Sequence, residues 1–484
     1  MRDFRKKKTY NCLVLMRGVV FMLNSKKINR CFAMGGLGQN LVYALMSAFL
    51  FFFTEGVGLS AATIGTLLFV VRIYGLIVDP IIAVIIEKTN TKWGKYKPYI
   101  ISMPPIISIL LIALFFKPNL SPGTHIIYVY VVTILFWTAY AFFDIAFWSI
   151  IPDITKNENF RFKLLQSIKI ASVFAIFGFG IAQMPLVDIL GNGSYLKGFF
   201  LLSIILGSLF LIFGLVLSKE LFSNESLKDL GLSKTSEIKD KKVKKNNKLK
   251  LSDMIKALLA NSPLINVISA KLFIYTALYI KTNLLIYFYK FSLGNDKLGS
   301  FSNLIALPVT LILIAISPKL LKKYGNKKVM SYFLGISVII SFIYIINFKV
   351  SYFYIIIDGL SSAIVGMYSL VITNMVVSTV EYGEWKTNTR LESVILSTNT
   401  ISSKLTSGMS AAISGWILNG IGYIPGKVQS VETLSNLHNA IVWIPVVGYG
   451  IAIIILSRYK LTSEMYNNIV KDLEIRNKES KQAC

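Results

Sequence analysis

Apolar runs long enough to cross a bilayer recur about twelve times along the chain, each parted from the next by a short polar stretch. In the first half they cover 33–54, 61–86, 99–116, 126–151, 168–190 and 198–217. In the second half they cover 264–289, 302–321, 329–346, 352–380, 398–418 and 441–457. Runs of this length satisfy every backbone group only as helices, so the pattern predicts an all-α membrane protein of twelve transmembrane helices in two six-helix halves. The predicted organisation is a basic amino-terminal segment (1–32), a six-helix half (33–217), a basic linker (218–262), a second half (263–458) and a tail (459–484).

Composition agrees with a lipid solvent. Of 484 residues, 54% are hydrophobic and 15% charged, too apolar for a soluble chain of this size. The formal charge of +27 does not point to nucleic acid, because the basic residues sit in clusters between apolar runs. Those clusters mark orientation. The amino terminus, 88–97, 156–163, the linker, 319–328 and the tail are basic, whereas the alternate loops carry few charges, so both termini are expected in the cytoplasm. The linker ends in KDKKVKKNNKLK, as expected of a solvated segment at an anionic membrane face. The apolar stretch 12–23 is too short and too interrupted by Arg17 to span, and translation from either Met1 or Met22 fits it. Cys12, Cys31 and Cys484 form neither a disulfide framework nor a metal site, and no nucleotide-binding loop or nucleophile elbow occurs, so neither a cofactor nor enzyme chemistry is expected.

Charges inside the apolar runs are the candidate chemistry, since a charge at membrane depth costs at least a few kcal/mol. Arg72 and Asp79 lie two turns apart on one face of the second run, and Pro80 follows, leaving the carbonyl of Leu76 without its helical donor. This face either contributes polar groups to a water-filled interior, or pins two helices as a charge pair. In the fourth run Trp137, Tyr140, Asp144 and Trp148 share one stripe. A carboxylate that accepts from two adjacent hydroxyls, beside an indole that covers an apolar ring face, is a carbohydrate site; an aromatic packing stripe with one paired acid is the alternative. Asn40 lies in the first run, Lys169 opens the fifth, and Lys271 and Lys281 lie in the seventh. Lys271 and Lys169 read as lysines that snorkel, and Lys281 as a cation for Asp79 or Asp144.

An internal echo supports two parallel halves. KWGKYK (92–97) answers KKYGNKK (322–328), each after the second helix of its half, and Asp153 and Arg161 after the fourth helix are answered by Glu381 and Arg390 after the tenth. Halves of this kind make the major facilitator fold, with the substrate near midplane.

From about Met22 to the tail, FFFTEGVGLS, GTLLFVVRIYGLIVDP, TKWGKYKP, FFDIAFWSIIPDIT, TVEYGEWKTNTRLES and IGYIP resemble, in order and spacing, the glycoside-pentoside-hexuronide:cation symporter family of the major facilitator superfamily, most closely the melibiose permeases. The resemblance implies cation-linked uptake of sugars or glycosides. It places Asp144 and Trp148 on the family's sugar-binding acid and tryptophan, Lys169 on its sugar-contacting arginine, and Lys386 on a loop lysine implicated in transport. It also exposes departures: the family's coupling-cation ligands are replaced by Gly75, Val78 and Ala141, leaving Asp79, and a sugar-contacting aspartate is replaced by Asn40.

The resulting expectation is a plasma-membrane secondary transporter that moves a sugar or glycoside by alternating access and requires no partner subunit. Coupling is expected through a proton on Asp79 rather than through sodium. An uncoupled sugar uniporter, a carrier of a lipid-like or other amphipathic substrate, and a non-transporting membrane sensor remain open at this point.

Overall fold

The computed structural model describes residues 26–154, 158–222, 256, 258–346, 351–389 and 391–482. The basic segment before residue 26, most of the linker (223–255), Arg390 and Cys484 lie outside them, and so do the expectations that rest on them. The side chains of Asp153 and Arg161 fall in the same class.

Helices follow the apolar runs. α1 (Lys26–Met46) continues through a bend of 40° into α2 (Phe49–Phe51) and a π-helical turn, Phe52–Val57. Then come α3 (Ala61–Lys88), α4 (Lys97–Leu114), α5 (Pro122–Ile154) and α6 (Glu158–Val173). A π turn (Phe174–Gly178) joins α6 to α7 (Phe179–Gly191), and α8 (Tyr195–Phe222) runs past the expected linker boundary. The second half holds α9 (Ser262–Phe291), α10 (Leu298–Ile343), α11 (Ser351–Thr387), α12 (Glu392–Gly420), α13 (Val431–Ser457) and, in the expected tail, α14 (Ser463–Gln482).

Nine of the described helices are long and apolar enough to span, or ten with the bent pair that begins at α1. α10 serves for two, because the basic connection expected at 319–328 is helical except at Gly325, whose φ of 76° breaks the 46-residue rod where only glycine enters cheaply. α12 falls outside that count through its many serines and threonines, several of which return their hydroxyls to the preceding turn. With α10 taken as two arms and α12 included, the helices are consistent with the twelve expected crossings.

The described residues pack as two compact units, one within Met1–Phe52 and Tyr74–Val243, the other within Phe53–Ile73 and Lys244–Cys484. The first is cored by phenylalanines: Phe52, Phe115 and Phe199 meet with centroids 4.8 to 5.9 Å apart, and Phe143 stands edge-on to Phe210 at 5.2 Å. The core of the second runs along α9, α11 and α13 through Ile274, Met367, Val371, Met375, Tyr449 and Ala452. Side chains such as Ile77, Ile109, Ile127 and Ile189 stay more than 60% exposed, as an outer face solvated by lipid tails requires.

The first turns of α3 belong to the second unit because glycines let backbones meet. A Cβ on Gly65 would stand 3.0 Å from the carbonyl oxygens of Ala411 and Ala412, and one on Gly415 only 2.3 Å from that of Ala61. Close approach through small residues is how helices associate where burial from water supplies no drive. The Trp416 indole donates to the Thr66 hydroxyl (3.2 Å) at the same crossing. Gly415→Val is expected to cost about 3 kcal/mol by forcing these backbones apart, read as a lower unfolding midpoint of the purified protein in detergent, with Gly415→Ala less severe. A Gly415→Val midpoint equal to wild type would show that the crossing is not close-packed.

Candidate functional site

In the first unit α1 and α5 bring together most of the predicted stripe. Asp144 Oδ1 accepts from Gln39 Nε2 (3.0 Å) and from Trp148 Nε1 (3.1 Å). The Trp148 bond joins residues one turn apart, so it follows from helical spacing; the Gln39 bond crosses between helices and does not. Among the described residues no other donor reaches the carboxylate, so Oδ2 remains available, and the Trp148 indole is 44% exposed. A fixed carboxylate with an open oxygen beside an exposed aromatic face can take a vicinal diol and cover the apolar side of its ring.

The other half of the stripe makes contacts between α1 and α5. Tyr140 is 5% exposed, and its hydroxyl donates to the Gln39 carbonyl (3.3 Å). Its ring, with Trp137 and Tyr43, forms a triangle of edge contacts at 5.4 to 5.7 Å. Tyr140 and Trp137 therefore brace α1 against α5 and hold Gln39 where it meets Asp144.

Asn40 points elsewhere than its neighbour Gln39. Its amide donates to the Gly36 carbonyl (2.8 Å) and to Ser172 (2.9 Å), tying α1 to α6, where the Ile168 side chain fills the gap that a Cβ on Gly36 would occupy. Lys169, one turn before Ser172, stands on the exposed side of α6, in keeping with a snorkelling lysine.

On α3 Arg72 and Asp79 stand two turns apart on one continuous helix, Ala61–Lys88. Asp79 lies in the part of the helix that belongs to the first unit, Arg72 in the part that belongs to the second, where its stem packs on Gly408 of α12. Near Asp79 in sequence, Tyr74 bonds Thr138 (3.0 Å), whose hydroxyl is also spent on the Ile134 carbonyl. A Cβ at Gly75 would meet nothing within 4 Å. Among the described residues no group of three His, Cys, Asp or Glu is arranged to hold a metal ion.

Two lysines of α9 differ from expectation. Lys271 does not snorkel: it is 4% exposed, and its ammonium donates to the carbonyl and side-chain oxygens of Asn399 (2.6 Å each) and to Ser403 (2.7 Å), which α12 supplies. Lys281 pairs with Asp358 of α11, in its own unit. Lys386, in the last turn of α11, is exposed, with its ammonium 5.9 Å from the Tyr382 ring. Gln39 and Asp358 were both missed from sequence; the signal for Gln39 was an adjacent polar pair, Gln39-Asn40, deep in an apolar helix.

The family profile described as MFS/sugar transport protein matches residues 31–463. Over 456 residues the chain is 28% identical to the uncharacterized symporter YjmB of Bacillus subtilis (strain 168), covering 93% of this chain and 95% of that one. It is 27% identical over 451 residues to the isoprimeverose transporter of Lactiplantibacillus pentosus, covering 92% and 90%. Among solved structures, a bacterial homologue of the iron transporter ferroportin in its inward-facing state superposes with a TM-score of 0.61 at 13% identity, covering 90% of this chain and 98% of that one, which supports the fold alone. Profile, relatives and helices agree with the resemblance read from the motifs, and the chain belongs to the MFS sugar-transport family of multi-pass secondary transporters, not to a family of enzymes.

Proposed function

We propose that the protein carries a neutral sugar or glycoside across the plasma membrane by alternating access of two six-helix halves, 33–217 and 263–458, with both termini cytoplasmic and no partner subunit. The observation that carries this reading is Asp144, held through Oδ1 by Gln39 and Trp148 with Oδ2 open beside an exposed indole. An acid in that position disfavours a lipid-like substrate, because an apolar ligand would leave the carboxylate desolvated and unpaired. In this reading Asp144 and Trp148 contact the sugar, Trp137 and Tyr140 position them, and Asn40, Lys169 and Lys386 contribute at other stages of the cycle.

The coupling ion in this reading is a proton, and Asp79 receives it. Sodium needs several oxygen ligands to replace its water. Gly75, Val78 and Ala141 offer no side-chain oxygen. A screen of labelled glycosides in proteoliposomes, with imposed proton, sodium or lithium gradients, tests the reading. Uptake is expected to follow the proton gradient and to ignore both metal ions, and Asp79→Asn is expected to keep exchange but lose accumulation. Sodium-stimulated uptake that disappears in Asp79→Asn would restore a sodium mechanism. Absence of uptake of any glycoside would remove the sugar reading.

A further inference from the structure

Lys271 of α9 is a buried cation held by neutral groups. Its ammonium donates to the carbonyl and Oδ1 of Asn399 (2.6 Å each) and to the Ser403 hydroxyl (2.7 Å), three bonds of charge-assisted length to uncharged acceptors. Among the described residues no carboxylate forms an ion pair with it, so burial acts on its charge with no acid to offset it. Lys281, nearly three turns further along the same helix, is buried too, but has Asp358 3.8 Å away. The cost of a desolvated charge is offset by an acid at Lys281 and by dipoles alone at Lys271.

The same three oxygens serve the ammonium and the neutral amine. An ammonium has three donors, whereas an amine has two donors and a lone pair. Two N–H bonds can stay on Asn399, and the Ser403 hydroxyl, which donates to the Asn399 carbonyl (3.0 Å), can turn its hydrogen to the amine nitrogen. Ser403 is exposed and Asn399 half-buried, and Thr400 and Lys404 add polar groups to the same turn of α12, which suits a water-lined face and not a lipid one. The titratable groups packed nearest are phenols. The Tyr275 ring of α9 lies 5.9 Å from the ammonium, and α11 and α13 bring Tyr368 and Tyr449, whose rings are 6.2 Å apart, to the same core. To that core α10 adds the apolar Val329, Met330 and Leu334. On α12 the charges are Lys404, next to Ser403, and the exposed Glu392, about two turns before Asn399. Glu381 of α11 and Arg458 after α13 stand level with the start of α9, where the Thr379 carbonyl accepts from Asn261 (2.8 Å) and the Arg458 carbonyl from Asn266 (3.2 Å).

We propose that Lys271, with Asn399 and Ser403, is a second proton-exchange site, which releases and regains one proton in each transport cycle. The N–H bond directed at Ser403 breaks, its electron pair stays on nitrogen, and the proton leaves to water at the exposed hydroxyl. The amine then accepts from Ser403, and the proton returns by the reverse steps. Neutralising Lys271 strands no charge, since no acid among the described residues is paired with it. The use of this proton in transport rests on the coupling reading above; its exchange with water does not.

Acid–base titration of the purified full chain in detergent separates the two. Between about pH 7 and about pH 9, where ordinary lysines hold their protons, wild type is expected to release one more proton per chain than Lys271→Gln or Lys271→Arg, and Asp79→Asn is expected to keep that extra proton. Glutamine retains an amide donor for Asn399, and arginine retains a charge that it cannot lose, so the result does not hang on the folding of one variant. In proteoliposomes both variants are expected to lose at least about tenfold of proton-driven accumulation of the best glycoside from the screen, while Lys271→Gln keeps exchange. Equal proton release from wild type and both variants overturns the site, and wild-type accumulation in Lys271→Arg shows that the ammonium is only a structural donor. Wild-type uptake indifferent to the proton gradient defeats the coupling reading and the site's use in transport, while the titration still decides whether Lys271 exchanges a proton.

Discussion

Asp144→Asn is expected to lower affinity for the transported glycoside by about 100-fold or more while leaving the amount of folded protein unchanged. The carboxylate has one oxygen fixed by Gln39 and Trp148 and the other open, so its contribution to binding is a pair of charge-assisted bonds to sugar hydroxyls. Hydrogen bonds to a charged group are worth about 1.5–3 kcal/mol each, and about 3 kcal/mol corresponds to two orders of magnitude in affinity. Asparagine is isosteric, and its oxygen still accepts from Gln39, so the fold has no reason to change. Trp148→Ala removes both the indole donor and the apolar cover, and at least about tenfold of affinity should go with them. Gln39→Leu, remote from the open oxygen, should weaken binding less than either, because it only loosens the carboxylate. Direct binding of labelled glycoside to the purified protein measures all three. Wild-type affinity in Asp144→Asn would reduce the stripe to helix packing.

The largest stability effect is expected at Lys290, from an ion pair on the segment that the first half lends to the second unit. Glu55, in the π turn after α2, accepts from Lys290 of α9, from the Tyr423 hydroxyl and from the Gly426 amide (3.5 Å). Thr54 next to it bonds Tyr287 (2.7 Å), whose ring stands edge-on to Tyr423 at 5.2 Å. The Glu55 side chain is 1% exposed and that of Lys290 21%, and this asymmetry orders the variants. Lys290→Met strands a buried carboxylate and should cost about 5 kcal/mol, the upper end for breaking a buried pair. Glu55→Ala leaves a lysine that can turn to solvent and should cost about 3 kcal/mol. The paired Glu55→Gln/Lys290→Met variant, with no stranded charge, should recover much of the loss. Unfolding midpoints in detergent decide the order, and a Glu55→Ala variant less stable than Lys290→Met would show that Tyr423 and the turn, not the charge, hold this end together.

Much of the architecture was legible because lipid simplifies the folding problem. A run of about twenty apolar residues has only one way to satisfy its backbone in hydrocarbon, so the places of the helices were predictable from hydropathy alone. Breaks were harder: a basic connection was visible at 319–328, but not that helix would persist through it to Gly325. The stripe carrying Asp144 and Trp148 was readable for the same local reason, since residues three and four apart on a helix share a face.

What sequence by itself determined is therefore the solvent, the helices, the family motifs and those contacts that a single helix makes with itself, such as the bond between Trp148 and Asp144. Tertiary structure decided which polar groups meet across helices. Gln39 and Asn40 are adjacent in the chain yet roughly 100° apart around α1, at 3.6 residues per turn, and the side each faces sent one to Asp144 and the other to Ser172. Lys271 and Lys281 lie on one helix, but α12 meets the first with neutral oxygens and α11 meets the second with an acid. Packing likewise decided that the stem of Arg72 meets Gly408 of α12. A buried charge must be met by whatever neighbour packing supplies, and that neighbour can stand a hundred residues away in the chain, where no local periodicity reports it.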